Sequence, residues 1–226
     1  MYYQIKGLVL NAKQQGEADK SATIYSYQWG KIVLTFPGAK KINAKLSAAA
    51  EPLTESEFMV CQKHSLMRPK AVGANIINNN SKIKSDFRRN LYALYAGEIS
   101  EKLAAYNVKN EHKYLLLSRV WEILGVCSNP RRALTAFVLR FLKLSGYAFS
   151  DYLKQNEDVL DLELQRNIAE ISRCSGDDID DFDFDDKKVW KCVENYLLNY
   201  IKKPSVGIFI EKINIKKTAF NCGGEI

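Results

Sequence analysis

The chain has 226 residues, 46% of them hydrophobic and only 5 of them proline, a composition that supports a packed core in one large or two small domains and excludes global disorder. Its formal charge of +7 is unevenly spread: residues 1–80 carry ten basic against five acidic side chains, 81–150 twelve against five, 151–186 three against thirteen, and 187–226 eight against three. A basic front and an acidic insert near the back point to an anionic partner for one part and a separate job for the other.

The N-terminus lacks the basic region, long apolar core and small-residue cleavage site of a signal peptide, and no apolar run approaches the roughly 18 residues of a membrane span. Residues 1–80 read as β structure, because short runs rich in Ile, Val, Tyr and Phe recur between turn signals. Strands are expected at Tyr3 to Leu10, Ser21 to Tyr27, Lys31 to Phe36, near Leu53 to Cys61 and near Ala71 to Ile77. Five short strands suit a small closed barrel, since closure removes exposed edges. An OB-type barrel fits best, and an SH3-like barrel is the competing form.

From Asn78 the pattern becomes helical. Asn80 or Ser81 is placed to cap a helix whose apolar stripe runs through Ile83, Phe87, Leu91, Leu94, Tyr95, Ile99 and Leu103 to about Tyr106. A second helix is expected at Lys113 to Val126, and a third after the start signal Ser128-Asn129-Pro130, ending at Ser145-Gly146. The third is apolar around most of its circumference, which predicts a central position. Weaker helices follow near Asp158 to Cys174 and Lys187 to Lys202, with a β-like run at Val206 to Ile215. Between the weaker helices, residues 176–186 hold seven aspartates in eleven positions. Such charge predicts a solvated loop. The chain thus divides into a barrel domain (1–80), a helical domain (81–204) with an acidic loop, and a tail (205–226).

Chemistry of the enzymatic kind is sparse. The two histidines, His64 and His112, stand apart from any GxSxG-like context, and GxxxxGK[ST] and GxGxxG are absent. The acidic loop lacks the central glycine and closing glutamate of an EF-hand. Cys61, Cys127, Cys174, Cys192 and Cys222 form no CxxC pair, against both a disulfide framework and a zinc knuckle, and they fit a reducing cytoplasm. The reading is therefore non-enzymatic, without cofactor or metal. The functional signal lies in Lys13, Lys20, Lys31, Lys40, Lys41 and Lys45, all in or beside turns, where a barrel gathers them to neutralise phosphates. Tyr25, Tyr27, Trp29 and Phe36 lie among them; alternation argues that Tyr25, Tyr27 and Phe36 are core, while Trp29 is equally suited to stacking on a base.

In order and spacing, Gly7-Leu8-Val9-Leu10, Gly16-Glu17-Ala18-Asp19-Lys20, Gly30-Lys31, Gly38-Ala39-Lys40-Lys41 and Leu46 followed by Pro52 resemble the RecO family of recombination mediators. Ala133-Leu134-x-x-Phe137-x-Leu139 and the stop Leu144-Ser145-Gly146-Tyr147 resemble that family's central helix, and Tyr200 to Pro204 its last one. The resemblance implies an α+β protein, an N-terminal five-stranded OB-fold barrel followed by an all-α domain. It also implies DNA repair and recombination in the bacterial cytoplasm, at the nucleoid. The implied work is binding single- and double-stranded DNA, annealing strands, and helping RecR load RecA onto strands coated by single-stranded-DNA-binding protein (SSB).

The chain departs from the family in two places. The four-cysteine zinc module is missing, and the arginine pair that takes the acidic, apolar-ended SSB tail is replaced by Thr135 and Ala136. Arg131, Arg132, Phe137 and Arg140 are the nearby residues from which such a site is rebuilt. The acidic loop itself resembles such a tail, with Ile and Phe between aspartates, which suggests that it competes with DNA for the chain's own basic groove. The alternative to the mediator is an OB-fold protein-interaction module without a DNA role.

Overall fold

A computed structural model describes residues 1–40, 46–64, 67–147, 149–155, 161–174, 178–181 and 185–198. Five strands form a closed barrel in the order β1-β2-β3-β5-β4, with β1 at Tyr2–Gln15, β2 at Asp19–Ser26, β3 at Gly30–Phe36, β4 at Glu55–Cys61 and β5 at Lys70–Asn78. Each predicted strand is present. The barrel closes because β1 is long enough to serve two neighbours: its first half pairs with β4 (Tyr2↔Cys61 through Leu8↔Glu55) and the stretch from Gly7 with β2, through a bulge between Val9 and Asn11. At the crossing of the two ladders stands Gly7, where an added Cβ would run into the Ile24 side chain and the Phe58 ring. Elsewhere the ladders are antiparallel; only β3 and β5 run parallel, and they meet at the single pair Thr35↔Lys70, backed by the Thr35 N–H donating to the Pro69 carbonyl at 3.0 Å.

Alternation along β1 serves two cores. Ile5 and Val9 point into the barrel with Ile24, Leu34, Phe36 and Phe58, whereas Leu8 and Leu10 join Tyr25 and Leu53 on the outside, packed against the helices. The bulge keeps Ala12 on the inner set after the extra residue.

The helices are α1 (Ser81–Ser85), α2 (Phe87–Leu103), α3 (Glu111–Leu124), α4 (Pro130–Leu144), α5 (Phe149–Gln155), α6 (Leu162–Arg173) and α7 (Asp186–Leu198). The long helix expected from residue 81 to 106 is broken at Asp86, whose extended backbone ends α1 while its carboxylate accepts the Arg89 N–H and caps α2. That shift of phase turns Phe87 outward, and α2 stops at Leu103, before the exposed Tyr106. As predicted, Asn129 caps α4 with Pro130 in its first turn, and α4 is buried nearly all round against α2, α3, α6 and α7. The short α5 was not expected. The β-like run at residues 206–215 lies outside the described residues.

Barrel and helices touch backbone to backbone at Gly30. Its φ is +70°, and a Cβ there would overlap the carbonyl of Val108 in the connector between α2 and α3. Gly16 has a similar φ of +62° but open space around it. Gly16→Ala is therefore expected to cost about 1 kcal/mol, from conformation alone. Gly30→Ala should cost clearly more, about 2–4 kcal/mol, because strain and a backbone clash combine; urea denaturation of the two variants measures the difference.

Candidate nucleic-acid interface

The turn Gly16–Ala18 joining β1 to β2 and the loop leaving β3 meet at one end of the barrel. The Lys40 N–H donates to the Ala18 carbonyl at 2.9 Å, the Gly38 N–H to the Asp19 carboxylate at 2.8 Å, and the Lys40 ammonium to the Gly16 carbonyl at 3.1 Å. Lys20 reaches across to the Ser47 hydroxyl at 3.2 Å, and Lys13 stands exposed on β1 opposite Ser21. Three predicted lysines, Lys13, Lys20 and Lys40, are thus brought to one end. Lys41 and Lys45 lie outside the described residues.

Lys31 does not join them. It opens β3 at the opposite end and is buried between the barrel and the helices, its ammonium donating to the Glu101 carbonyl at 2.5 Å and lying 4.0 Å from the centre of the Tyr106 ring. Burial pulls its pKa down, against the opposing pull of the Glu101 carboxylate. That carboxylate is itself engaged with Asn11 and with the Thr23 hydroxyl. Sequence reasoning assigned Lys31 to the rim because it follows a turn; the Glu101 acceptor, seventy residues on, is what draws it inside. Trp29 also sits at that opposite end, half-buried and edge-on to Tyr3 with ring centres 5.1 Å apart.

Further cations escaped the turn-based reading. Lys63, Arg68 and Lys70 are exposed on and after the connection from β4 to β5. Lys70 is paired with Thr35, Thr35 with Ser21, and Ser21 with Lys13, so one row across the ladder has a lysine at each end. The signal that marks them is in the sequence: residues 58–85 hold five cations and no acidic residue.

Residues 1–72 match the family described as recombination protein O N terminal. Similarity extends further, over about two thirds of the chain, to proteins named DNA repair protein RecO. Those of Desulforamulus reducens (30% identical over 145 residues), Mycoplasma mycoides subsp. mycoides (32% over 146) and an Exiguobacterium species (25% over 149) are matched over 64%, 63% and 66% of this chain. The chain is thus similar to the RecO family over about two thirds of its length, with the family model matching residues 1–72. It spans 55–59% of the length of these relatives.

In this chain the four residues proposed for an acidic tail are engaged to different degrees. Arg132 makes a two-pronged pair with Asp186 (2.9 and 3.2 Å) and donates to the Ile179 carbonyl at 3.2 Å. Ile179 is buried in the helical core, and the Asp180 carboxylate accepts the Ser128 and Asn129 N–H groups at 2.8 and 3.0 Å. The described part of the acidic segment is thus docked at the start of α4. Asp178, Asp180, Asp181 and Asp185 are exposed, in keeping with the solvated segment expected of residues 176–186, while the buried Ile179 and the bonds of Asp180 and Asp186 fasten its described part to α4. Phe137 is core, its ring centre 5.3 Å from that of Phe141, and Arg131 is buried with its Nε lacking a partner among the described residues. Arg140 donates to the Ser172 carbonyl at 3.3 Å and to that of Cys174, and it borders a cleft of about 350 Å³ between α4, α5 and α6. Lys143 and Arg173 stand over its apolar floor of Leu139, Leu153 and Ile168.

Among the described cysteines, burial pushes the Cys127 thiol up to about 11 and raises Cys174 and Cys192, so all three are thiols rather than thiolates at neutral pH. Burial raises the Asp180 pKa, but the two N–H groups it accepts outweigh that and hold it below the usual carboxylate range. A lowered folded pKa stabilises above the unfolded value of about 3.9, and the contribution fades as pH falls through the folded value. Asp180→Ala is expected to lower stability by about 1–3 kcal/mol at pH 7. Urea unfolding should show the gap from the unaltered chain closing toward pH 3.

Proposed function

We propose that the chain is a non-catalytic, DNA-binding recombination mediator of the RecO type, working in DNA repair in the bacterial cytoplasm at the nucleoid. The observation that carries this reading is the convergence of Lys13, Lys20 and Lys40 at one end of a barrel whose residues match the RecO N-terminal family. Lysines held by turns neutralise phosphates of single or double strands without reading sequence. A cationic surface also screens two phosphate backbones from each other, which favours annealing and requires no bond to be broken. The names of the relatives support the repair assignment; cooperation with RecR in loading RecA onto SSB-coated strands follows from the family reading.

The SSB tail, acidic and ending in apolar side chains, is best accommodated by the cleft between α4, α5 and α6. Of the four residues first considered, Arg140 belongs to that cleft, where Lys143 and Arg173 add cations above an apolar floor. Arg132 is engaged with Asp186, and Phe137 is buried. An acidic peptide with an apolar C-terminus is expected to bind the chain and to weaken about tenfold in Lys143→Glu/Arg173→Glu, as measured by fluorescence anisotropy.

A second reading, a barrel that docks a protein rather than DNA, draws on the exposed Met59, Val72 and Ile77 of β4 and β5. Replacing Lys13, Lys20 and Lys40 together with glutamine separates the two. Under the DNA reading, affinity for single-stranded DNA falls and the slope of log K against log salt drops by about 0.7 for each phosphate no longer neutralised. Unchanged affinity and slope would remove these lysines from the interface and favour the protein-docking barrel.

A further inference from the structure

Beside the sparse seam between β3 and β5 the barrel wall opens. Below the pair Thr35↔Lys70 the two chains diverge, and a cleft of about 500 Å³ lies between the β2–β3 turn, the free flank of β3 at Ile32 and Val33, the segment Met67–Pro69 and the connector Tyr106–Lys109. That volume is in the range of small-ligand sites. Its walls are of three kinds.

Two aromatic rings face it: Trp29, set by its edge contact with Tyr3, and Tyr106, 52% exposed and steadied by the Lys31 ammonium. Three amide side chains also line it: Asn107, Gln28, whose oxygen accepts the Lys6 N–H, and Gln62, whose nitrogen donates to the Met67 carbonyl. Arg68 is exposed at the edge, and Lys63 and Lys70 flank it on the acid-free stretch. Flat apolar faces, amides and exposed cations together are the chemical complement of an unstacked nucleobase with its neighbouring phosphates.

We propose that this cleft takes a base from an unpaired DNA strand, stacked on Trp29 and Tyr106, while Arg68 and the flanking lysines hold the adjacent phosphates. The inference rests on the DNA-binding reading and adds to it a preference for single strands, since a duplex keeps its base faces stacked inside and offers the chain only phosphates. It also gives the two ends of the barrel separate roles: the turn-held lysines attract any nucleic acid, and the cleft distinguishes an open strand from a closed one.

The test uses the full chain and two readouts. Anisotropy of labelled oligothymidylate or of a labelled duplex reports binding, and tryptophan emission reports the cleft, because Trp121 and Trp190 are buried at 1% and 6% exposure. Oligothymidylate is expected to quench emission. Trp29→Phe should abolish the quenching while keeping most of the affinity. Trp29→Ala and Tyr106→Ala should each weaken oligothymidylate binding about tenfold and leave duplex binding within twofold, with thermal melts confirming that both variants fold. An abasic deoxyribose-phosphate strand should bind as the duplex does, and quench nothing.

Oligothymidylate that binds without quenching, or with an affinity indifferent to both alanine variants, overturns the cleft and leaves the DNA reading intact. If neither strand nor duplex binds, the DNA reading falls and the cleft with it.

Discussion

The buried ammonium of Lys31 is the interaction on which the arrangement of the two halves depends. A lysine removed from water is tolerated only with a strong acceptor, and here the Glu101 carbonyl near the end of α2 supplies it, with the Tyr106 ring alongside. Glu101 then grips the barrel with its carboxylate through Asn11 and Thr23. Because Gly30 precedes Lys31, the connector approaches without a side chain between the backbones. A second tie, from the Tyr114 hydroxyl to the buried Glu55 carboxylate at 2.8 Å with Lys6 at 2.9 Å, fixes the opposite flank. With two polar joints and a shared apolar core, the connector Tyr106–Lys109 is a wall of the barrel's cleft as much as a link between helices.

The helical half shows how a central helix rich in arginine is made compatible with burial. Arg132 is matched by Asp186, Arg140 by backbone carbonyls, and the exposed amides at the start of α4 by Asp180. The partners all come from the acidic, C-terminal side of the chain. Its charge imbalance, 3 basic against 13 acidic side chains in residues 151–186, goes partly to neutralising α4 rather than to display toward solvent.

Much of this was legible in residue order. The alternation around Ile5, Val9, Ile24 and Leu34 located the strands, and Asn129-Pro130 located α4, because periodicity and capping are local signals. Lys31 and Phe87 were misplaced for the opposite reason. Lys31 reads as a surface residue until Glu101 is brought against it. Phe87 fits an inward stripe until the Asp86 cap resets the helical phase. The acid-free run from 58 to 85 is a weaker local signal, because its single cations are spaced along a strand connection and do not form a pair beside a turn as Lys40-Lys41 does. The cleft itself has no local signature: Trp29, Arg68 and Tyr106 come from three separate turns and connections, and only the parting of β3 from β5 assembles them.

That parting has a mechanical side. A barrel with full ladders all round has a fixed girth, because changing it means breaking a row of backbone hydrogen bonds. Here the seam is one residue pair and one flanking bond, so the circumference is set by side-chain packing rather than by a ladder. If the cleft takes a base as proposed, the wall between β3 and the segment before β5 can yield to purines and pyrimidines alike at the expense of a few van der Waals interactions. A site proposed to hold a strand regardless of its sequence would gain from such compliance, and the long β1 carries the permanence that the seam gives up.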